Sequence, residues 1–176
     1  MNKSDQYCIC VRVDESFAEF TSTCLLRKAI VATLQQFDVP IDAGVTLLIT
    51  NDEDVQKLNR RFRNVDAPTD VLSFPAMMDD AEVALGGDED THYLGDIIVA
   101  YPYSSDQARD EGHKIEDALA LLAIHGTLHL LNFDHDTAER QAEMWAMQET
   151  ILASVGVPLS VMPPPFELSA ENNDNG

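Results

Sequence analysis

His125-Gly-Thr-Leu-His129-Leu-Leu-Asn-Phe-Asp-His135 is the stretch that decides how the rest of this chain is read. Two histidines four residues apart on an α-helix project from one face, one turn above the other. Asn132 follows them, and asparagine is one of the few non-glycine residues that tolerates the left-handed conformation closing many helices. A helix stopped there turns the chain back, so that His135 completes a triangle with His125 and His129. Three neutral imidazoles suit zinc, and three protein ligands leave a fourth position for water or substrate, the pattern of a catalytic centre. Of the 5 histidines in 176 residues, three fall in this stretch, and Leu128, Leu130 and Leu131 mark it as largely buried. Buried imidazoles need partners or a metal. The trio is therefore read as a metal site rather than as surface histidines at a polar helix end.

The whole chain sets the bounds on that reading. At 176 residues, 45% hydrophobic and 24% charged, it has the size and composition of one soluble globular domain. No apolar run approaches the ~18 residues of a membrane span, and the start leads into no signal-peptide core. A cytoplasmic location without a membrane partner is the expectation. The cysteine count of 3 is odd, and Cys8 and Cys10 lack CxxC spacing, so buried reduced thiols are expected rather than a thiolate metal site. The formal net charge of −20 repels nucleic acid at long range. It is unevenly spread, however: six acids and no base lie between Asp79 and Asp90, whereas Lys57, Arg60, Arg61 and Arg63 cluster within seven positions. Global charge disfavours a polyanionic partner, and local charge permits one.

Hydrophobic periodicity arranges the elements around the histidine stretch. Tyr7 to Val13 alternates as a strand, and Ser22 or Thr23 can cap a helix running to about Phe37. Val45 to Thr50 reads as a buried strand, followed by a helix capped by Asn51 and Asp54 with Val55, Leu58 and Phe62 facing inward. Lys57, Arg60 and Arg61 fall on its outer side. Val71 to Phe74 is a short strand after the Pro68 turn, and its Ser73 fits either a solvated edge or a substrate-facing hydroxyl. Residues 76 to 92 read as an acidic insertion, with His92 at the surface. Leu94 to Ala100 is the fourth strand, in which Asp96 is either a buried hydrogen-bond hub or faces the site. Pro102 opens a helix ending near Gly112, His113 is a cap or surface residue, and the metal helix runs from about Lys114 to Leu131. Asp136 and Glu139 form a capping-box pair for a last helix ended by Gly156. The expected fold is α+β: one small mixed four-stranded sheet packed by about five helices, in a zincin-like metallohydrolase architecture. Residues 1–162 make a single domain, and 163–176 a Pro/Asn-rich disordered tail.

The histidine spacing matches that of the metzincin peptidases, H-E-x-x-H-x-x-G-x-x-H. Where those enzymes carry the glutamate base, this chain has Gly126, which cannot accept a proton. Gly126 also lowers helix stability by about 1 kcal/mol relative to alanine and implies close approach of another segment or of substrate. Without that base, the chemistry rests on the metal, which lowers the pKa of bound water to about 7 and polarises a substrate oxygen. Phosphodiester cleavage fits, because its main need is stabilisation of charge on phosphoryl oxygens, a task suited to the planar guanidinium. Arg63, at the end of the second helix, is the best-placed arginine, the alternative being a surface ion pair.

Four segments carry a family resemblance: Leu58-Asn-Arg-Arg-Phe-Arg63, Asp66-Ala-Pro-Thr-Asp-Val-Leu-Ser-Phe-Pro75, Leu94-Gly-Asp-Ile97 and His125 to His135. In this order they resemble the signature blocks of the YbeY endoribonuclease family, over about residues 7 to 156. The resemblance implies a zinc-dependent, single-strand-specific endoribonuclease. It would act in rRNA maturation at the 3′ end of small-subunit rRNA and in ribosome quality control, with the ribosomal subunit or its proteins as partners and no DNA. It also implies one zinc per chain on His125, His129 and His135, and it places the family's functional arginine on Arg63. The chain departs from the family pattern at Asn132-Phe133, where the family usually has Gly-Tyr, and in the acidic run from Asp79 to Asp90. Two other classes of function remain open at this point. One is a non-enzymatic ribosome-assembly factor with a structural zinc, and the other a metal-dependent amide hydrolase, against which Gly126 argues.

Overall fold

The computed structural model describes residues 6–76 and 92–164. Four strands, β1 (Cys8–Val13), β2 (Gly44–Thr50), β3 (Val71–Pro75) and β4 (Tyr93–Ala100), form one sheet in the order β1-β2-β4-β3. The first three in that order run parallel, and β3 is an antiparallel edge strand, so the sheet is mixed as expected. Five helices pack on it: α1 (Thr23–Gln35), α2 (Asp52–Arg63), α3 (Tyr101–Glu111), α4 (Ile115–Leu130) and α5 (Ala138–Val155). Short 3-10 turns lie at Glu15–Phe20 and Leu159–Val161. Among the described residues, no helix is long and apolar enough to cross a membrane.

Side chains alternate across a strand, so the sheet has two faces, and the helices cover them unequally. Ile9, Val45, Leu47, Ile49, Ile97 and Val99 point into the larger core, against α1, α4 and α5. Ile98, Ala100 and Leu72 point the other way into a smaller cluster closed by Val55, with Leu58 packed against it. The helix α2 lies over β3 and β4 and leaves the β1 end of this second face open. That corrects the expectation of buried thiols: Cys8 and Cys10 sit on the uncovered face and are exposed, as is Cys24 near the start of α1. Asp96 also belongs to this second face, in register with Thr46 and Phe74 and away from α4. It is buried and accepts a hydrogen bond from the Tyr93 hydroxyl, while Thr46 Oγ1 lies 2.8 Å from the same phenol. Of its two sequence readings, the buried hub holds.

The helix ends follow their local chemistry. Ser22 caps α1 by accepting from the Leu25 N–H, and Asn51 caps α2 by accepting from the Asp54 N–H at 2.8 Å. The last helix differs from its expected capping box. Thr137 is the cap, accepting from the Arg140 N–H, because Asp136 is drawn into an ion pair with the Arg140 guanidinium at 2.9 Å. His92 is exposed and pairs with Asp42 at 2.9 Å, as a surface residue should. His113 does not cap α4, whose cap is Lys114; it is half-buried, 3.6 Å from the Glu111 carboxylate. Apart from Ala76, His92, Pro163 and Pro164, the expected acidic insertion and tail lie outside the described residues.

Two glycines set how closely α4 approaches the sheet. Leu94 is an extra residue where β4 pairs with β2, and the resulting bulge gives Gly95 a φ of +144°. A Cβ there would lie 2.2 Å from the Phe74 carbonyl oxygen and 2.9 Å from Leu130 of α4. At Gly126 a Cβ would meet Cγ2 of Ile97 at 2.7 Å. The close approach implied by the sequence is therefore made by β4, and position 126 faces the sheet. Alanine at 126 would gain about 1 kcal/mol of helix propensity but overpack against a rigid β-branched side chain, an effect of about 1–3 kcal/mol. We expect Gly126→Ala to lower unfolding stability by about 1 kcal/mol in urea titrations; unchanged or higher stability would show that Ile97 yields.

Candidate metal centre

Leu119, Ala120, Ala123, Ile124, Thr127, Leu128 and Leu130 bury most of the circumference of α4, which runs on to the histidine turn. Its end is a Schellman motif. Asn132 takes φ +69°, its N–H donates to the His129 carbonyl at 3.1 Å, and the Phe133 N–H donates to the Leu128 carbonyl at 3.0 Å. The Phe133 ring then packs on Phe37, with centroids 5.2 Å apart, which anchors the chain as it reverses toward His135.

This reversal brings the three histidines together: each offers a ring nitrogen, and the three atoms lie within 4.8 Å of one another. His125 and His129 are half-buried and His135 is exposed. The other nitrogen of each helix histidine is already committed. His125 Nδ1 donates to Gln148 Oε1 at 2.7 Å, and the amide nitrogen of Gln148 faces the Met162 thioether at 3.5 Å, which keeps Oε1 on the histidine side. His129 Nδ1 donates to the Phe133 carbonyl at 2.9 Å. With both protons on Nδ1, the two Nε2 atoms face each other as bare lone pairs at 3.0 Å. Such an arrangement is repulsive unless a cation lies between the lone pairs, and it is how a protein fixes the tautomer of ligating histidines. Burial, followed by the neighbouring His129, pushes the His125 pKa down to about 4, so the ring is neutral at neutral pH, as ligation requires. Burial, then His135, also lowers that of His129. The three residues thus fit a bound metal ion.

Gln148 was missed in the sequence, although a signal existed. It falls four residues after Met144 and four before Leu152, a polar residue inside the apolar stripe of α5, and it is almost wholly buried. The hydroxyl absent at Phe133 does not remove the bond to His129, because the backbone carbonyl makes it.

Arg63 lies in the last turn of α2, which ends in a left-handed Asn64 whose N–H returns to Asn59. Asn59, another buried polar residue the periodicity did not flag, donates to the Ala67 carbonyl at 2.8 Å and ties the helix to the following turn. Phe62 packs edge-on against Phe74 of β3, with centroids 5.2 Å apart. Arg63 is exposed, its charge contributes to the lowered pKa of His129, and among the described residues no carboxylate pairs with it. Lys57 is instead held by Glu53 at 3.0 Å. Ser73, on the edge strand, donates to the Gly126 carbonyl at 3.3 Å, a link between β3 and α4 that neither sequence reading contained.

A family model described as Endoribonuclease YbeY matches residues 10–156. The chain belongs to that family. Among the Endoribonuclease YbeY relatives, that of Roseiflexus castenholzii is 39% identical over 148 residues, covering 84% of this chain and 92% of its own. That of Moorella thermoacetica is 44% identical over 141 residues, covering 75% and 85%. The solution structure of TM1509 from Thermotoga maritima shares the fold, with a TM-score of 0.53 at 24% identity over 89% of this chain and 97% of that one.

Outer partners of metal-bound histidines typically contribute 10–100-fold in metal affinity, so Gln148→Leu should weaken metal binding by about that factor in a chelator competition. An unchanged affinity would mean that Gln148 does not orient His125. At Asn132, glycine should preserve the turn, whereas valine, strained at positive φ, should lower both stability and metal affinity.

Proposed function

We propose that this chain is a zinc-dependent endoribonuclease that cuts single-stranded RNA, in rRNA maturation at the 3′ end of small-subunit rRNA and in ribosome quality control. Its family is one of endoribonucleases, hydrolases of RNA phosphodiester bonds. The observation that carries the metal part of the reading is the pair of unprotonated Nε2 atoms at 3.0 Å, with His135 beside them. His125, His129 and His135 are the ligands, and Gln148 and the Phe133 carbonyl hold the two helix rings in their ligating tautomer. When bound, zinc supplies Lewis acidity toward a phosphoryl oxygen and lowers the pKa of water.

The chain's own residues supply the rest. The exposed guanidinium of Arg63 meets the phosphoryl oxygens and offsets the charge that builds on them as the bond breaks. A carboxylate base on α4 next to His125 has no place in this mechanism, because position 126 faces Ile97 rather than the histidines. That geometry supports phosphodiester rather than amide hydrolysis. The ribosomal subunit and its proteins are the proposed setting, reached by a face on which Arg60, Arg61 and Arg63 are all exposed.

The test pairs two variants with metal analysis. His129→Ala should lose both the metal and cleavage. Arg63→Ala should keep about one metal per chain and lose 10²–10³-fold in cleavage rate of single-stranded RNA, the usual effect of removing one stabiliser of transition-state charge. Undiminished cleavage in Arg63→Ala would take Arg63 out of the mechanism. A wild-type protein that unfolds without metal and cuts no RNA at any salt concentration would favour a structural zinc in an assembly factor.

A further inference from the structure

Beside the histidine trio, α3, α4 and the Leu159–Val161 turn enclose a cavity of about 160 Å³. His125, Gln148 and Trp145 form one side of it, so it adjoins the metal centre. The Trp145 ring also packs edge-on against His125 and His135, with centroids 6.1 and 5.7 Å away. Two polar atoms among the described residues are buried without any partner, the Ser104 hydroxyl and the Trp145 indole N–H, and both residues line this one cavity. Ser104 is 2% exposed. Buried polar groups are nearly always satisfied, and two orphans in one cavity mark a place where a ligand completes the hydrogen bonding.

The remaining walls say what kind of ligand. Asp70 and Glu111 line the cavity with Gln107 and His113. The Glu111 carboxylate accepts from Gln107 at 3.4 Å and lies 3.6 Å from His113, which leaves Asp70 as the acceptor and favours a group with N–H donors. Asp70 Oδ1 accepts from the Val71 N–H at 2.7 Å, and burial raises its pKa, as expected of a carboxyl short of solvent. Val71, Leu121, Leu122 and Val161 provide apolar surface for a flat ring. The volume is about half the ~300 Å³ at which pockets for drug-sized ligands begin, which suits a single ring system. We infer that this cavity binds one nucleobase of the RNA strand beside the cleavage site. Trp145 donates to an acceptor on the base edge, Ser104 supplies a hydroxyl of either sense, and Asp70 receives amino hydrogens. Adenine, cytosine and guanine carry such an amino group and uracil does not, so the cavity gives the enzyme a base preference. This inference rests on the proposed cleavage of RNA and adds to it a choice of sequence.

Trp145 is the only tryptophan in the chain, so its fluorescence reports on the cavity directly. Adenosine, cytidine, guanosine, uridine and ribose 5-phosphate are titrated into the full-length protein, with metal content measured on the same sample. Saturable changes are expected with the three amino-bearing nucleosides, weaker ones with uridine and none with ribose 5-phosphate. Because the Ser104 hydroxyl has no internal partner, Ser104→Ala should fold as stably as the wild type yet bind these nucleosides about tenfold more weakly, the equivalent of one hydrogen bond. Asp70→Asn should narrow the gap to uridine, and Ser104→Phe, if folded, should abolish binding while metal content holds. The inference is overturned if no nucleoside gives a saturable change, if uridine or ribose 5-phosphate binds as well as the rest, or if Ser104→Ala binds like the wild type. Single-stranded RNA cleavage, run in parallel, separates the two readings. RNA cut without nucleoside binding sinks the base site alone, and nucleoside binding without RNA cleavage sinks the nuclease alone.

Discussion

Two imidazole nitrogens stand 3.0 Å apart with no proton available to lie between them. Everything around the pair serves to hold them in a geometry they would otherwise leave. The Gln148 amide and the Phe133 carbonyl claim the outer protons, the core fixes α4 from behind, and the reversal at Asn132 brings up the third ring. Facing lone pairs of this kind are complementary to a cation. The end of the most buried helix is thus laid out in a geometry suited to a cation.

The approach of α4 to the sheet follows from the same demand. Gly126 and Gly95 let the helix lie against β4 and β3, and Ser73 bridges to the carbonyl of Gly126. With the helix seated this closely, the residue after His125 points inward to Ile97. The absence of a glutamate at this position is thus a packing outcome as well as a chemical one. On the opposite side, Asn59 and Phe62 fix the end of α2, so that Arg63 extends from a braced helix terminus rather than from a loose loop.

Much of this was legible in the sequence, for identifiable reasons. Strand alternation and helical spacing are local signals, and they gave the strands, the helices and the ends at Asn51 and Asn132 to within a residue or two. The histidine trio was legible because a left-handed asparagine between the second and third rings makes their convergence a local matter. What escaped depends on contacts between distant segments. The Gln148 bond to His125 spans 23 residues, and the Ser73 bond to Gly126 spans 53. Cys8 and Cys10 were misjudged because their exposure is set by where α2 happens to lie, which no pattern within Tyr7 to Val13 encodes. The cap of α5 shifted by one residue because Arg140, four positions on, competes for Asp136.

The uncovered half of the sheet has one more consequence. Cys8 and Cys10 lie on the side of β1 turned away from α4, whereas the three histidines that could hold a metal ion lie on the opposite side of the sheet. These two thiols are therefore separated by the sheet from the histidines, whereas the third exposed thiol, Cys24, is on α1. Once Cys24 is replaced, an alkylating probe reaches only the two sulfurs of β1, which are natural attachment points for a spin label or dye on the side of the sheet away from the histidines.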